Sequence, residues 1–181
     1  MSREIRTSRF DVFVDWLESR RDDRAIMAEL RRGFSPGTEH YVWKHLAPWC
    51  ELASRKSRTI YTAVAACYAF HPECTAEGNL GTTLRRIAQS LGSPGEDTQK
   101  AFEGRLRRLL ACVRSVEVCR HLRQIIGLAS QHGIPINYRQ LLKDLLVWDK
   151  DPDRIKVSWA AEYWRKQKEP SDDAVPNTNK A

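Results

Sequence analysis

Clustered arginines are the residues of this sequence whose type and spacing most clearly suggest chemistry. Residues 100–123 carry seven basic residues against two acidic ones, Glu103 and Glu117. The seven are Lys100, Arg105, Arg107, Arg108, Arg114, Arg120 and Arg123. Seven minus two leaves a surplus of five, which is most of the chain's net charge of +7. Because guanidinium groups bind phosphates through paired hydrogen bonds, this stretch predicts contact with a polyanion.

The same stretch has an apolar side if it is helical. Five residues then share one side, namely Phe102, Leu106, Leu109, Leu110 and Val113. Basic residues occupy much of the remaining surface. A solvated helix face normally mixes charges of both signs, because opposite charges four residues apart support the helix. The crowding of like charges here favours polyanion binding over a merely solvated surface.

Two other places are locally basic. Arg31 and Arg32 lie at a predicted helix end, where the helix dipole favours positive charge and where paired arginines can also clamp a phosphate. Arg55, Lys56 and Arg58 lie at a predicted helix start, where the dipole disfavours positive charge. That local conflict is a weak indication of function.

Motifs for catalysis are lacking. The sequence has no glycine-rich phosphate loop, no serine nucleophile elbow and no metalloprotease helix. Asp149, Asp151 and Asp153 imitate the start of a calcium loop, but Arg154 and Ala160 stand where glycine and glutamate belong. We therefore expect no enzyme activity, and Asp151 is better explained as a helix cap before a proline.

The cysteines and histidines do not predict a metal site. The candidate ligands are His40, His45, Cys50, Cys67, His71 and Cys74, which is a looser set than the tight pairs of a zinc site. The five cysteines are an odd number, and three lie in apolar helical patterns, which favours reduced core residues over disulfides. We expect neither a metal ion nor another cofactor.

Composition suggests a basic, well-packed protein. The chain has 181 residues, of which 41% are hydrophobic and six are tryptophan, and its pI is about 9.3. This length suits one domain or two small subdomains. No apolar run is long enough to span a bilayer, and the polar N-terminus is no signal peptide, so we expect a cytoplasmic protein without a membrane partner.

Periodicity of apolar residues predicts an all-α fold, an antiparallel helical bundle with two helical subdomains. We place an N-terminal subdomain at 1–78, a C-terminal subdomain with the basic face at 79–167 and a disordered polar tail at 168–181. The boundary falls in the polar stretch 75–83. We expect the first helix to begin at about Ser8 and the last helix to begin at Asp151-Pro152. Helices should end at Gly33 and at Gly92. Ser35 before Pro36, Ser115 and Asn137 are the expected N-terminal caps.

A helix-turn-helix motif is one alternative for residues 84–110. Ala88 and Gly92 have suitable spacing, and a basic helix follows. However, the apolar positions expected in the second helix fall on Thr98 and Ala101, and the intervening loop SPGED is long. A stand-alone DNA-binding regulator therefore remains a competing interpretation.

Several segments, taken in order, resemble the small subunit of the type I-E CRISPR Cascade complex, the CasB family. The matching segments are LRRGFSPGTE, YVWKHLAPW, GTTLRRIAQSL, FEGRLRRLLACVRSVEVCRHLRQII and INYRQLLKDLLVWDKDPDRIKVSWAAEYW. They span about residues 8–167, and their order and spacing are more specific than any one of them.

The resemblance implies a non-catalytic, all-α subunit of an antiviral RNA-guided complex. Two copies of such a subunit contact other Cascade proteins, the CRISPR guide RNA and the target DNA, and they stabilise the RNA–DNA hybrid and the displaced strand of the R-loop. Matching the family's basic contacts assigns nucleic-acid binding to Arg31, Arg32, Arg105, Arg114 and Arg123. Local charge alone adds Arg85, Arg107, Arg108 and Arg120. Besides the regulator, a helical scaffold that binds acidic protein partners is a third possibility.

Overall fold

The fold is entirely helical over the part of the chain that the structure covers. The computed structural model describes residues 9–91 and 96–165, with side chains from Lys100 onward in the second range. Within these ranges the helices are α1 (Arg9–Ser19), α2 (Arg24–Arg31), α3 (His40–Leu46), α4 (Arg55–Phe70), α5 (Leu80–Ser90), α6 (Glu96–Ala111), α7 (Ser115–Gln131), α8 (Tyr138–Trp148) and α9 (Pro152–Tyr163). The predicted all-α class is confirmed.

Helix α4 is the centre of the packing. It contains nine buried residues and packs against α2, α3, α7 and α8. Around the second half of the chain, α5 packs against α9, α6 and α7. The buried residues of both halves form one hydrophobic cluster, so the two predicted subdomains share a core. The division into an N-terminal and a C-terminal helical subdomain stays a prediction.

Buried polar contacts lock the last two helices together. Trp159 on α9 donates its indole N–H to the carboxylate of Asp144 on α8, with Nε1 and Oδ2 2.7 Å apart. Both residues are buried, at 0% and 7% exposure. Gln140 donates to the other oxygen of the same carboxylate at 2.7 Å. A buried carboxylate needs such donors, because unpaired charge in a core is costly.

Several predicted helix ends are confirmed. Asn137 accepts from the Gln140 backbone N–H, and Asp151 accepts from the Arg154 backbone N–H with Pro152 at the first helical position. The helix predicted to begin near Ser8 starts at Arg9 among the described residues. Ser8 itself, Gly92 and the tail 168–181 lie outside those residues.

The predicted cap at Ser35 is wrong. Ser35 ends a short 3₁₀ turn over Arg32–Phe34, and its N–H donates to the Arg32 carbonyl. The chain then makes two further turns, in which Thr38 N–H donates to the Ser35 carbonyl and Tyr41 N–H to the Thr38 carbonyl. These bonds delay the start of α3 to His40. The predicted stop at Gly33 shifts likewise, since α2 ends at Arg31 and Gly33 lies inside the 3₁₀ turn.

The junction of α6 and α7 also differs from expectation. Ser115 is the first helical residue rather than the cap, because the Glu117 carboxylate accepts the backbone N–H groups of Val113 and Arg114. Helix α6 ends at Ala111, so the helical period no longer applies to Val113, which is 71% exposed. The other four residues of the predicted apolar side are confirmed as buried or partly buried.

Candidate nucleic-acid interface

Four of the predicted arginines meet on neighbouring faces of α6 and α7. Arg105, Arg120 and Arg123 line one cavity of about 510 Å³, together with Phe70 and residues of α7. A small adjoining hollow is lined by Arg105, Arg108, His121, Gln124 and Ile125. Residues three or four apart lie on the same side of a helix. The spacing of each arginine pair therefore puts both members on the surface that the two helices share.

A second cavity continues this surface towards α4. It has a volume of about 390 Å³ and is lined by Arg55 and Arg58 of α4 and by Arg120 and Arg123 of α7. Because Arg120 and Arg123 border both larger cavities, the arginines form one continuous surface. We call it the arginine groove and define it as Arg55, Arg58, Arg105, Arg108, Arg120 and Arg123.

The charge of the arginine groove is largely uncompensated. None of its six arginines forms an ion pair with a carboxylate in the described part of the chain. Glu39 is the acidic residue that lines the 390 Å³ cavity. Six positive charges less one negative charge leave a surplus of five along the groove. A surface of this kind raises the local concentration of anions and is available for phosphate oxygens.

Aromatic rings hold several of these guanidinium groups in place. The guanidinium carbon of Arg58 lies 5.2 Å from the centre of the Trp43 ring, and Arg58 also donates to the Leu52 carbonyl. Arg105 lies 4.9 Å from the centre of the Phe102 ring on its own helix. Contacts of this type orient a guanidinium without neutralising its charge. The guanidinium groups of Arg58 and Arg105 are thus partly pre-oriented and remain charged.

The thiol in the groove is not a nucleophile. Cys119 lines the 390 Å³ cavity, and burial raises the pKa of this thiol to about 12. The thiolate is the reactive form of cysteine, so Cys119 stays neutral near pH 7.

Among the described residues, no three His, Cys, Asp or Glu side chains are grouped so as to hold a metal ion. No helix in the described ranges is long and apolar enough to cross a membrane.

The remaining predicted site residues lie outside the groove. Arg85 is used inside the fold, where its Nη1 donates to the Glu162 carbonyl at 2.8 Å and helps hold α5 to α9. Arg107 is exposed and pairs with Glu103 at 3.5 Å. Arg31 and Arg114 are exposed, and Arg32 lies over the ring of Tyr41, 4.3 Å from its centre. Nucleic-acid binding stays a prediction for these five arginines and for the four in the groove.

Sequence reasoning gave too little weight to Arg55 and Arg58. Both arginines stand in the first turn of α4. The helix dipole disfavours positive charge at that end of a helix, and this conflict was the one indication of function in the sequence. Their neighbour Lys56 has a different role, because its Nζ pairs with the Asp149 carboxylate at 2.9 Å. The association of Arg55 and Arg58 with α7 depends on the packing of α4 against α7, which no local pattern predicts.

Comparison with known proteins connects this geometry to a family. A curated CRISPR-associated protein Cse2 from Thermus thermophilus is 27% identical over 159 residues, covering 84% of this chain and 88% of that protein. A crystal structure of a Cse2-family protein from the same organism has a TM-score of 0.65 at 27% identity, covering 86% of this chain and 97% of that one. The crystal structure of M. ruber CasB, at 24% identity, supports the fold alone, with a TM-score of 0.64 over 88% of this chain and 94% of that one.

The family model described as CRISPR-associated protein Cse2 matches residues 26–164. That range includes α3 to α9, nearly all of α2 and every arginine of the groove. The match therefore covers both the helical core and the candidate site. The chain belongs to the CRISPR-associated Cse2 family.

Proposed function

We propose that this chain is a non-catalytic, nucleic-acid-binding small subunit of a CRISPR RNA-guided Cascade complex. It works in the cytoplasm with the other Cascade proteins, a second copy of itself, the guide RNA and the target DNA. Its task is to stabilise the hybrid of guide RNA and target DNA, together with the displaced strand of the R-loop. Membership of the Cse2 family supports the assignment to such a complex.

The observation that carries the nucleic-acid role is the arginine groove. Six arginines from three helices line connected cavities without a carboxylate partner in the described residues. Structural arginines usually pair within the fold, as Arg139 does with Asp15 at 2.6 Å. Unpaired guanidinium groups held beside aromatic rings are suited to phosphate oxygens.

The physical demands of the task fit such a surface. In an RNA-guided complex the guide RNA reads the target sequence by base pairing, so a helper subunit needs only contacts to the backbone. Phosphate contacts are independent of sequence and sensitive to salt. The described lining of the groove contains six arginines from three helices, and Gln124 and Gln131 at the larger cavity are its amide side chains.

The displaced strand provides a direct test. A complex assembled with the Arg120→Gln/Arg123→Gln variant should leave thymines of that strand more reactive to permanganate than the parent complex does. The matched control is Arg20→Gln/Arg24→Gln, which removes two exposed charges outside the groove. Assembly of each variant is checked by gel. Equal reactivity in the parent and groove-variant complexes, with normal assembly, would refute the proposed role of the groove.

A further inference from the structure

Helices α4 and α7 lie side by side and run in the same direction. Near their first turns, Arg55 of α4 and Val116 of α7 line the 390 Å³ cavity. Near their last turns, Phe70 of α4 and Gln131 of α7 line the 510 Å³ cavity. The N-terminal ends of the two helices are therefore neighbours, and each end carries the partial positive charge of a helix dipole.

Basic side chains add to the positive charge at this shared end. Arg55, Lys56 and Arg58 stand in the first turn of α4. Arg120 stands in the second turn of α7. Like charges at the same end of two packed helices repel each other, and the repulsion acts against the contact between the helices. An anionic group between the two ends offsets such repulsion.

Asp149, at the C-terminal end of α8, is an anionic group in this position. Its Oδ1 accepts the backbone N–H of Ser115, the first residue of α7, at 2.7 Å, and its Oδ2 accepts the Ser115 hydroxyl at 3.1 Å. The same Oδ2 lies 2.9 Å from the Nζ of Lys56 on α4. One carboxylate thus joins the first turns of the two helices, and its side chain is only 28% exposed.

Both residues bonded to Asp149 are next to residues that line the groove. Lys56 lies between Arg55 and Arg58 in sequence, and Ser115 directly precedes Val116. A shift of either helix end therefore changes the separation of the arginines across the cavity. Because hydrogen bonds from a guanidinium to a phosphate are short and directional, arginines of two helices bind one strand together only at a matching separation.

From these contacts, and resting on the proposed function, we infer that Asp149 is a positioning residue of the arginine groove. Its carboxylate holds the first turns of α4 and α7 at the separation at which the arginines of both helices face one strand. Asp149 is not among the described residues that line the groove, and its negative charge repels phosphate. Its effect on strand binding therefore acts through the arginines.

The sign of the effect on strand binding tests this inference. Asp149→Asn removes a negative charge near the groove, so charge alone predicts tighter binding of a nucleic-acid strand. Positioning predicts the opposite, because the amide of asparagine cannot pair with Lys56. The affinity for a strand of about 12 thymidines at low salt should fall by about tenfold, as expected for the loss of one hydrogen bond to a charged group.

Two further variants separate charge from position. Glu39 lines the 390 Å³ cavity, and Glu39→Gln should raise the affinity by about two- to fivefold, because it removes a negative charge alone. Asp149→Glu keeps a carboxylate at this end of the helices and should restore most of the affinity that Asp149→Asn loses. Every affinity is measured on the full-length chain at a temperature at which circular dichroism shows the variant to be folded.

Ser115→Ala tests the same contact without changing the charge, and it keeps the test open if Asp149→Asn does not fold. It removes the hydroxyl that donates to Asp149 at 3.1 Å. Strand binding should weaken, though by less than in Asp149→Asn. Ser130→Ala, in the last turn of α7, is the matched control and should leave the affinity unchanged.

The outcomes are distinguishable. The inference is overturned if folded Asp149→Asn binds the strand as tightly as the parent or more tightly, or if Asp149→Glu fails to restore the affinity. Either result would leave the proposed function standing, provided that Arg120→Gln/Arg123→Gln weakens strand binding. Failure of the parent to bind any strand, alone or in the complex, would remove both.

Discussion

Arg123 of α7 lies over the ring of Phe34 in the turn after α2, with its guanidinium carbon 5.2 Å from the ring centre. This contact joins two segments that are far apart in sequence, and both line the 390 Å³ cavity. Contacts between a guanidinium and a ring contribute about 0.5–1 kcal/mol at exposed sites. The interaction therefore orients Arg123 more than it stabilises the fold, and the charge stays available to a phosphate.

The close approach of α5 and α9 gives a first prediction about stability. A Cβ on Gly81 would stand 2.0 Å from the backbone oxygen of Trp159, so Gly81→Ala must push the two helices apart. We expect it to lower the free energy of unfolding by about 1–3 kcal/mol, the usual cost of overpacking a core. The measurement is urea unfolding followed by circular dichroism.

A glycine elsewhere in the bundle is the matched control. Gly104 lies within α6, and a Cβ there would meet nothing within 4 Å. Gly104→Ala should raise the free energy of unfolding by about 0.5–1 kcal/mol, because alanine restricts the unfolded chain more. Equal effects of the two substitutions would contradict the packing of α5 on α9 described here.

The buried pair of α8 and α9 gives a second prediction. Asp144→Leu leaves the indole N–H of Trp159 without its acceptor and should cost about 1–3 kcal/mol. Trp159→Phe leaves the carboxylate without one of its donors and should also destabilise the protein. Because each change leaves its partner unpaired, the double variant should cost less than the sum of the single variants. Strict additivity in urea unfolding would show that the two groups do not interact.

Asp149 gives a prediction for the pH dependence of stability. Burial by itself raises the pKa of Asp149, but hydrogen bonds from Lys56 and Ser115 outweigh burial and hold the pKa below its usual value. A carboxyl group with a lowered pKa stabilises the fold above its unfolded pKa of about 3.9, and this contribution is lost as the pH falls through the folded pKa.

Asp149→Asn should therefore lower the free energy of unfolding by about 1.5–3 kcal/mol at neutral pH, which is the usual contribution of a hydrogen bond to a charged group. The difference between the parent and the variant should narrow as the pH falls below about 4. Urea unfolding at several pH values measures it. Asp22→Asn, an exposed residue in a turn, is the control and should show little effect. A difference that stays constant down to low pH would contradict the assigned role of the Asp149 carboxylate.

The fold was largely predictable because its helices follow local patterns. Phe13, Val14 and Leu17 repeat with the helical period and are buried as expected. Asn137 caps α8 because its side chain needs only the next three residues to find its partner. The predicted helix ends are wrong where a residue distant in sequence determines the cap. Ser115 donates its N–H to Asp149, 34 residues away, and Arg114 stands at the cap position, where its backbone N–H donates to the Glu117 carboxylate.

The candidate site was predictable in part for the same reason. Arg120 and Arg123 are three residues apart, so the helical period alone puts them on one face. The role of Arg85 within the fold depends on Glu162, which is 77 residues away. Arg55 joins the groove only through the packing of α4 on α7. Local charge therefore indicates candidate arginines, and tertiary packing decides which of them share a surface.

The central claim is that the arginine groove binds phosphates. The double variant Arg105→Ala/Arg108→Ala removes two of its charges without changing the hydrophobic core. Both arginines line the hollow beside α7, and neither is buried, so thermal stability should change little. Leu106, which lies between them in sequence, is 0% exposed. Leu106→Ala should therefore destabilise the bundle by about 2–5 kcal/mol and serves as the contrast on the same helix.

The most direct measurement is the affinity of assembled complexes for target DNA at several salt concentrations. Each phosphate contact contributes about 0.9 to the slope of log affinity against log salt on duplex DNA, and about 0.7 on single strands. The Arg105→Ala/Arg108→Ala complex should bind more weakly at low salt, with a slope flatter by about one to two units. Normal assembly with unchanged affinity and slope would show that the groove is only a solvated surface and would contradict the account.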